Sequence, residues 1–431
     1  MSTEIAPVTA ILARFAAESR FDALPAAVVH EATRAILHIV GVAIGGCRHP
    51  TVDHAIDALA PYAGAPQATL FGRRERLDVL NAALVNGIAS HVLDFDDTHP
   101  DTLVHPSGPV GAAVLALAEH RDVPGRALVN AFVVGVEVEC RVARAVLPTH
   151  YDVGWHLTGT AGVFGAAAAC ANLLGLDTQR TVWALGLAAT QSAGLREMFG
   201  SMAKSLHPGQ AARNGLVAAL LAERGFTSAE RGIEGSRGFV AVTSTSVDLA
   251  RALDGLGDRY ELLGNTYKPF ACGLVIHPVL DACIQLAERH AIAADAIERI
   301  ELVVSPLAVE LTGKPRPTTG LEGKFSIFHS AAVAILDHAG GEAQYADSRV
   351  NAPEVVALRG RVHAEIDPAL SITAVRVAIT MRDGQRHALA LEHCLGSREA
   401  PMSDAQIAAK YRDLCAGILA PAAIDASRHA L

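Results

Sequence analysis

The sequence predicts a mainly α protein that combines a large all-helical domain with a smaller α/β domain. Apolar residues recur at i, i+3, i+4 and i+7 from Ala6 to about Tyr260, interrupted by Pro, Gly and Asp/Thr breakers. After about Thr266 alternating and β-branched runs appear. The segment DAQIAAKYRDLCAGIL (404–419) is helical again and can return to pack on the first domain. With no long linker between the domains, we expect a cleft between them.

Several segments of the helical part are apolar on more than one face. Such helices must be enclosed by others, and their small residues allow helices to approach closely. The segments are PAAVVHEATRAILHIVGVAIGG (25–46), LDVLNAALVNGIASHVLDF (77–95), ALVNAFVVGVEVECRVARAV (127–146) and TGTAGVFGAAAACANLLG (158–175).

The predicted α/β part contains the strand-like runs IERIELVVSPLAVEL (297–311) and ALRGRVHAEIDPALSITAVRVAITMRDGQRHALAL (357–391). In the second run Asp-Gly-Gln at 383–385 separates two alternating segments, which indicates a β-hairpin. We therefore place the all-helical domain at 1–266 together with 398–431, and the α/β domain at 267–397.

Charge and cysteine usage exclude several classes of protein. The chain of 431 residues carries 45 acidic and 36 basic side chains, a net charge of −9, which argues against nucleic acid or an anionic membrane as the main partner. Its seven cysteines contain no C-x-x-C pair and predict buried thiols rather than disulfides. The first 21 residues lack a basic n-region and indicate an amphipathic helix rather than a signal peptide. We expect a cytoplasmic protein.

The stretch HVLDFDDTHPDTLVHPSG (91–108) holds four aspartates and three histidines amid Ala, Val, Leu and Gly. If the helix continues through it, His91 and Asp94 share a face, and Pro100 ends the segment. Ser107 is the expected N-cap of the next helix, with His105 just before it. A carboxylate at one helix end that faces a histidine at the next is a usable acid/base pair, although Asp caps in a polar loop would look similar.

A competing interpretation makes these aspartates ligands of Mg²⁺ for a diphosphate substrate. The spacing D-D-T-H-P-D lacks the regular D-D-x-x-D repeat, and no second Asn/Ser/Glu motif follows downstream. We therefore predict no metal.

Two further blocks carry single candidates. In GWHLTG (154–159), His156 precedes a Thr-Gly helix start, where a packed core histidine is also expected. In FGSMAKSLHPGQAARNG (199–215), Lys204 is one of only five lysines among the 36 basic residues. A lysine in a chain that otherwise uses arginine suggests that a compact ammonium group is needed to bind a ligand carboxylate. The alternative is that Lys204 is an exposed lysine at the start of a helix.

The junction between the two domains supplies the remaining candidates. Lys268 precedes a proline in NTYKPFACGLVIHPVLDA (265–282), and His277-Pro278 opens the next helix. His329 lies at the start of an apolar helix in EGKFSIFHSAAVAILDH (322–338).

Taken together and in this order, these blocks resemble the MmgE/PrpD family, which includes 2-methylcitrate dehydratase, cis-aconitate decarboxylase and iminodisuccinate epimerase. The likeness runs from about residue 6 to 420, and DFDDT…HPSG and K-S-L-H-x-G-x-A-A-R-N-G are its most specific motifs. It implies that the α/β domain is a lid, that the C-terminal segment completes the helical domain, and that a homodimer carries its site between the domains. It also implies that no cofactor is needed.

The resemblance assigns roles to individual residues. Asp94, His105, His156, Lys204 and Lys268 match active-site positions of the family, and His207 and His277 lie in the same blocks near the site. We predict catalytic roles for Asp94, His105, His156, Lys204 and His329, and substrate-binding roles for Lys268, His207 and His277. Of these, His105, oriented by Asp94, is the expected proton-transfer group, and His329 protonates a departing hydroxyl or binds a second carboxylate.

Two positions depart from the family pattern. Gly273 stands where cis-aconitate decarboxylases carry a histidine, and His329 stands where many members have a tyrosine. The expected activity is that of a lyase on a small di- or tricarboxylic acid, foremost a 2-methylcitrate dehydratase-like hydro-lyase. An epimerase, a cis-aconitate-type decarboxylase and a non-catalytic metabolite-binding dimer remain alternatives.

Overall fold

The computed structural model describes residues 6–430 and confirms a mostly helical first part followed by a domain with a mixed four-stranded sheet. The predicted N-terminal helix is α1. The helices of the first part are α1 Val8–Glu18, α2 Ala26–Gly46, α3 Pro50–Leu59, α4 Val79–Ala89, α5 Ser107–Arg121, α6 Gly125–Val146, α7 Thr149–Val153, α8 Leu157–Thr160, α9 Gly162–Leu173, α10 Thr178–Ala189, α11 Met202–Glu223, α12 Phe239–Thr243 and α13 Ala250–Leu253.

Two small antiparallel strand pairs belong to this part and its exit. β1 (Ala68–Thr69) pairs with β2 (Arg76–Leu77). β3 (Asp97–Thr98) pairs with β4 (Thr266–Tyr267), so the acidic stretch is joined directly to the start of the second domain.

The second domain is built around the sheet order β6-β5-β7-β8. Its β5–β6 pair is parallel and its other pairs are antiparallel. The predicted hairpin is confirmed: Gly384 takes a positive φ of 86° in the turn between β7 and β8. The elements are β5 Ile297–Val304, β6 Val362–Ile366, β7 Val375–Met381, β8 Arg386–Leu391, and the helices α14 His277–His290, α15 Pro306–Thr312, α16 Gly320–Gly323, α17 Ile327–Asp337, α18 Asp347–Val350 and α19 Pro353–Arg359.

The C-terminal segment forms α20 (Asp404–Cys415) and α21 (Pro421–Ala430). α20 packs against α2: a Cβ atom on Gly41 would lie 2.6 Å from the ring of Tyr411. The predicted domain boundaries stay a prediction, and their outer ends at residues 1 and 431 lie outside the described residues.

The helical core is packed through small residues, as the sequence predicted. α9 and α11 approach so closely that a Cβ atom on Gly215 would lie 2.5 Å from Cβ of Ala166 and 2.6 Å from the backbone nitrogen of Ala167. All seven cysteines are buried and free.

α2 is long and apolar enough to cross a membrane by length and composition alone, but 61% of its most apolar window is buried inside the fold. A helix that is buried in a protein core can have the same length and apolar composition.

Gly215→Ala should therefore lower the free energy of unfolding by about 1–3 kcal/mol, the usual cost of overpacking a tight core. Gly125→Ala is the matched control, because a Cβ atom at Gly125 meets nothing within 4 Å. Denaturant titration of both variants measures the effect. Equal stability of the two variants would contradict this account of the α9–α11 contact.

Candidate active site

The acidic stretch is a turn rather than the end of a helix. α4 begins with Asp78 as N-cap, whose carboxylate accepts from the backbone N–H groups of Leu80 and Asn81, and it ends at Ala89. Asp94 then adopts a left-handed backbone with φ 49°, a conformation that aspartate tolerates better than most residues. The expectation that His91 and Asp94 share a helix face is therefore wrong.

The Asp94 carboxylate lies between two lysine side chains. Its Oδ1 atom is 2.6 Å from Nζ of Lys204 and 2.8 Å from Nζ of Lys268, and Lys268 also donates to the Asp94 carbonyl at 3.1 Å. All three side chains are buried. Lys204 is thus not an exposed helix-start lysine. One carboxylate holds two ammonium groups side by side.

The electrostatics of this trio follow from burial and mutual attraction. Burial alone would raise the pKa of the Asp94 carboxyl, but Lys204 and Lys268 bring it well below its usual value. Burial lowers the pKa of Lys204. Burial also acts to lower the pKa of Lys268, but the neighbouring Asp94 and Asp96 carboxylates raise it overall. The ionised Asp96 carboxylate lies 3.8 Å from Lys268, so two carboxylates balance the two protonated lysines, and an anionic ligand would be bound by direct hydrogen bonds from the ammonium groups rather than by excess charge.

His105 is oriented by the backbone and not by Asp94, which corrects the predicted pairing. Its Nδ1 atom lies 2.8 Å from the Asp97 carbonyl oxygen and 3.5 Å from Oδ1 of Asp96. A carbonyl can only accept, so the neutral ring carries its proton on Nδ1 and leaves a lone pair on Nε2. Burial lowers the pKa of His105 to about 3. This ring is a neutral base.

Asp96 and Asp97 also stabilise this turn through hydrogen bonds. Oδ2 of Asp96 lies 2.6 Å from Nδ1 of His91, and both side chains are fully buried. The Asp97 carboxylate accepts from Ser107 Oγ and Asn265 Nδ2, each at 2.6 Å. Burial raises the pKa of Asp97 to about 7. Ser107 is therefore not the N-cap of α5 but the first residue of that helix, bound to Asp97.

His156 and His207 form a buried pair. Their Nδ1 atoms are 2.8 Å apart, so one ring donates and the other accepts. Burial, together with neighbouring His207 and Lys204, lowers the pKa of His156 well below its usual value, and burial lowers that of His207 to about 4. Both rings are therefore neutral at neutral pH, so His156 adds no positive charge to the site. The pair leaves Nε2 of His156 available for a hydrogen bond to a ligand.

The two remaining predicted histidines lie apart from this group. His277 is buried at the start of α14 with its ring 5.5 Å from that of Phe270. His329 is buried inside the second domain, where its Nε2 atom lies 2.9 Å from the Gln344 carbonyl and its ring packs against Tyr345. Burial lowers the pKa of His329 to about 4. This position gives no support to the predicted role of His329 in protonating a hydroxyl or binding a carboxylate.

A cavity between the two domains brings five of the predicted residues together. It contains about 520 Å³ of empty space, part of it open to solvent, and its walls come from both domains. The first domain contributes Asp94, Thr98, Leu103, His105, Tyr151, His156, Phe199 and Lys204; the second contributes Lys268, Gly273, Leu274, Val275, Leu307, Leu311, Thr312 and Phe325.

Two lysines near this cavity were missed by the sequence reasoning. Lys324 donates to the carbonyls of Leu93 and Ala271 and pairs with Glu342. Lys410 of α20 donates to the carbonyls of Phe95 and Lys268, each at 2.7 Å. The scarcity of lysine, which drew attention to Lys204, could have pointed to both.

Two groups of side chains could hold a metal ion by distance alone. In the first group, ring nitrogen atoms of His91, His105 and His156 lie within 4.8 Å of one another. In the second group, a ring nitrogen of His91 and carboxylate oxygens of Asp94 and Asp96 lie within the same distance of one another. Three imidazoles suit zinc. However, Asp94 is already engaged by two ammonium groups, which oppose a third cation at that carboxylate.

The arrangement can remove a proton next to a carboxylate. The two lysines can bind the carboxylate and neutralise charge that develops on it, while Nε2 of His105 accepts the proton. Comparison with known protein families gives two matches, one for each part of the chain. The MmgE/PrpD N-terminal domain model matches residues 10–252, and the MmgE/PrpD C-terminal domain model matches residues 270–429.

The chain therefore belongs to the MmgE/PrpD family of enzymes. Among its relatives, the cis-aconitate decarboxylase of Homo sapiens is 28% identical over 404 residues, covering 89% of this chain and 83% of that protein. The cis-aconitate decarboxylase of Mus musculus is 29% identical, covering 89% and 82% respectively. That of Aspergillus terreus (strain NIH 2624 / FGSC A1156) is 27% identical, covering 95% and 90%.

This MmgE/PrpD protein should not need a metal, because lysines bind the Asp94 carboxylate. Burial and the Lys204 ammonium lower the pKa of His91, His105 and His156, and that ammonium also opposes a metal cation at those three rings. Exhaustive treatment with EDTA, followed by assay in metal-free buffer, should leave turnover unchanged. Loss of turnover that Zn²⁺ or Mg²⁺ restores would contradict the prediction and assign a metal to one of the two histidine-containing groups.

Proposed function

We propose that this protein is a cofactor-independent lyase that dehydrates a small hydroxylated polycarboxylate through a carbanion next to a carboxylate. The observation that carries the proposal is the buried Lys204–Asp94–Lys268 group beside a neutral His105. A proton α to a carboxylate is weakly acidic, so its removal needs fixed positive charge at the carboxylate and a base within reach. The relatives named cis-aconitate decarboxylase make small polycarboxylates the expected substrate class.

In the proposed mechanism the two lysines bind the carboxylate that carries the acidic C–H bond. His105 Nε2 accepts the proton, the electron pair forms the new double bond, and the hydroxyl on the adjacent carbon leaves as water. His156, rather than His329, hydrogen-bonds the departing hydroxyl, because His156 lines the cavity. Its ring is neutral, so the proton that completes the water molecule is the one that His105 took from carbon, and His105 returns to its neutral form. His207 positions the His156 ring through the contact between their Nδ1 atoms.

Decarboxylation of cis-aconitate is the second candidate, because the relatives described above carry that name. It needs a proton delivered to the carbon that loses CO₂. At the position assigned to a histidine in such enzymes this chain has Gly273, which lines the cavity. The nearest atoms to a Cβ there are Thr312 Cγ2 at 3.4 Å, the Lys324 carbonyl oxygen at 3.5 Å and Phe325 Cδ1 at 3.9 Å. None of them is a proton donor, which favours dehydration.

Turnover measured by NMR with citrate, 2-methylcitrate, cis-aconitate and iminodisuccinate separates these functions. We expect dehydration of a hydroxy acid and little itaconate from cis-aconitate. Gly273→His should raise itaconate formation, since Gly273 lines the cavity and its φ of −56° and ordinary contact distances accommodate a Cβ atom. Gly273→Ala is its control. Rapid itaconate formation by the unaltered protein would contradict the preference for dehydration.

His105→Ala should lower kcat by about 10²-fold or more, the scale of general acid/base catalysis. Because burial holds the pKa of His105 at about 3 in the free protein, the ring stays neutral above pH 5. After correction for ionisation of the substrate, kcat/KM should show no histidine-like fall from pH 8 to pH 5. A fall centred near pH 6.5 that disappears in His105→Ala would contradict this picture, as would an unchanged kcat in the folded variant.

Lys204→Ala should weaken binding of polyanionic substrates and also lower kcat, because the ammonium is needed most when the carbanion forms. Lys204→Arg should restore charge but only part of the rate, since a planar fork cannot replace a compact ammonium within 2.6 Å of Asp94. Steady-state kinetics of both variants test this. Full activity of Lys204→Arg would show that charge alone suffices.

The homodimer and the cytoplasmic location remain predictions.

A further inference from the structure

The cavity lining has a polar part and a larger apolar part. The polar part is formed by Asp94 with the two lysines, His105 and His156. The apolar wall comes from the turn before His105, the segment after Gly273, helix α15 and Phe325, whose ring centroid lies 4.9 Å from Nζ of Lys204. Its side chains are Leu103, Leu274, Val275, Leu307, Leu311 and Phe325. A ligand that fills this cavity must combine an anionic group with apolar surface.

Leu103 forms part of this wall at the cost of backbone strain. Its φ is 56°, a left-handed conformation that is rare for a leucine. The turn holds it there, since Leu103 N donates to the His99 carbonyl and His99 N donates to the Val104 carbonyl, both at 2.8 Å. Strain at a residue that lines a binding cavity points to a requirement for that side chain.

Among the described residues, the cavity lining offers no third cation for a third carboxylate; the neutral Tyr151 hydroxyl is a further donor in the lining. The cations of the lining are Lys204 and Lys268, which share Asp94. Thr312 in the apolar wall already donates its hydroxyl to the Ala308 carbonyl at 2.5 Å. The nearby Arg196 is engaged by the Tyr151 carbonyl and by Glu310. A carboxylate placed against this wall would lose water without gaining a hydrogen bond.

We propose that the substrate is a 2-alkylmalate, in which an alkyl arm takes the place of a third carboxymethyl group. This inference rests on the proposed function and names its substrate class. Lys204 and Lys268 bind the carboxylate next to the CH₂ group, and the alkyl arm packs against Leu103, Leu307 and Leu311. The C3–H bond breaks with its proton going to His105, a C2–C3 double bond forms, and the C2–OH bond breaks as His105 passes that proton to the departing oxygen. The products are a 2-alkyl-butenedioate and one water.

The test is a series of 2-alkylmalates with methyl, ethyl, propyl and butyl arms, with citrate and 2-methylcitrate as tricarboxylate comparators. Each added CH₂ that is buried should raise kcat/KM by about 3- to 4-fold. The best 2-alkylmalate should exceed both comparators. A kcat/KM that falls with arm length, or is highest for a tricarboxylate, overturns the alkyl-arm inference but keeps the lyase. Failure of every compound to bind or react overturns both.

Leu103→Gly relieves the strained backbone and removes part of the wall, so the increase of kcat/KM with arm length should flatten. Ala291→Gly is the matched control, because Ala291 also has a positive φ, of 47°, but lies at the end of α14 and does not line the cavity. Leu311→Ala tests the same wall from the second domain. An unchanged dependence on arm length in both Leu103→Gly and Leu311→Ala would overturn the assignment of this wall.

Discussion

Four lysine side chains from distant parts of the chain hold the five residues Leu93 to Asp97. Lys204 and Lys268 bind the Asp94 carboxylate, Lys324 donates to the Leu93 carbonyl, and Lys410 donates to the Phe95 carbonyl. Burying an ammonium group is costly unless each of its protons finds an acceptor. A turn that presents a carboxylate and several carbonyl oxygens within a few residues provides those acceptors.

This constraint also joins the two domains. Lys268 and Lys324 come from the second domain and Lys410 from the C-terminal helix α20, yet all three contact a turn of the first domain. The β3–β4 pair adds backbone hydrogen bonds at the same place. The cavity between the two domains is therefore positioned by polar contacts around Asp94.

Much of the fold could be predicted because its signals are local. Helical periodicity, small-residue packing and the Asp-Gly hairpin depend on neighbouring residues, and all three predictions are confirmed. The convergence of Asp94, His105, His156, Lys204 and Lys268 on one cavity could be anticipated only through the resemblance of whole motifs, because these residues are far apart in the sequence.

The pairing within the site could not be predicted, for a physical reason. The assumption that α4 continues to Asp94 placed that residue beside His91, whereas the left-handed backbone at Asp94 turns its carboxylate toward the two lysines. The surroundings of His329 depend on which face of α17 is buried in the second domain. The sequence predicted that His329 lies at a helix start, but it could not predict that the ring contacts the Gln344 carbonyl.

The central claim is that the two lysines receive a substrate carboxylate while His105 faces the carbon next to it. A crystal structure with 2-methylsuccinate, which lacks the leaving hydroxyl, tests this most directly. We predict a carboxylate oxygen within hydrogen-bond distance of Nζ of both Lys204 and Lys268, and the CH₂ carbon about 3–3.5 Å from Nε2 of His105. A carboxylate bound away from the lysines, or a CH₂ group turned away from His105, would contradict the account.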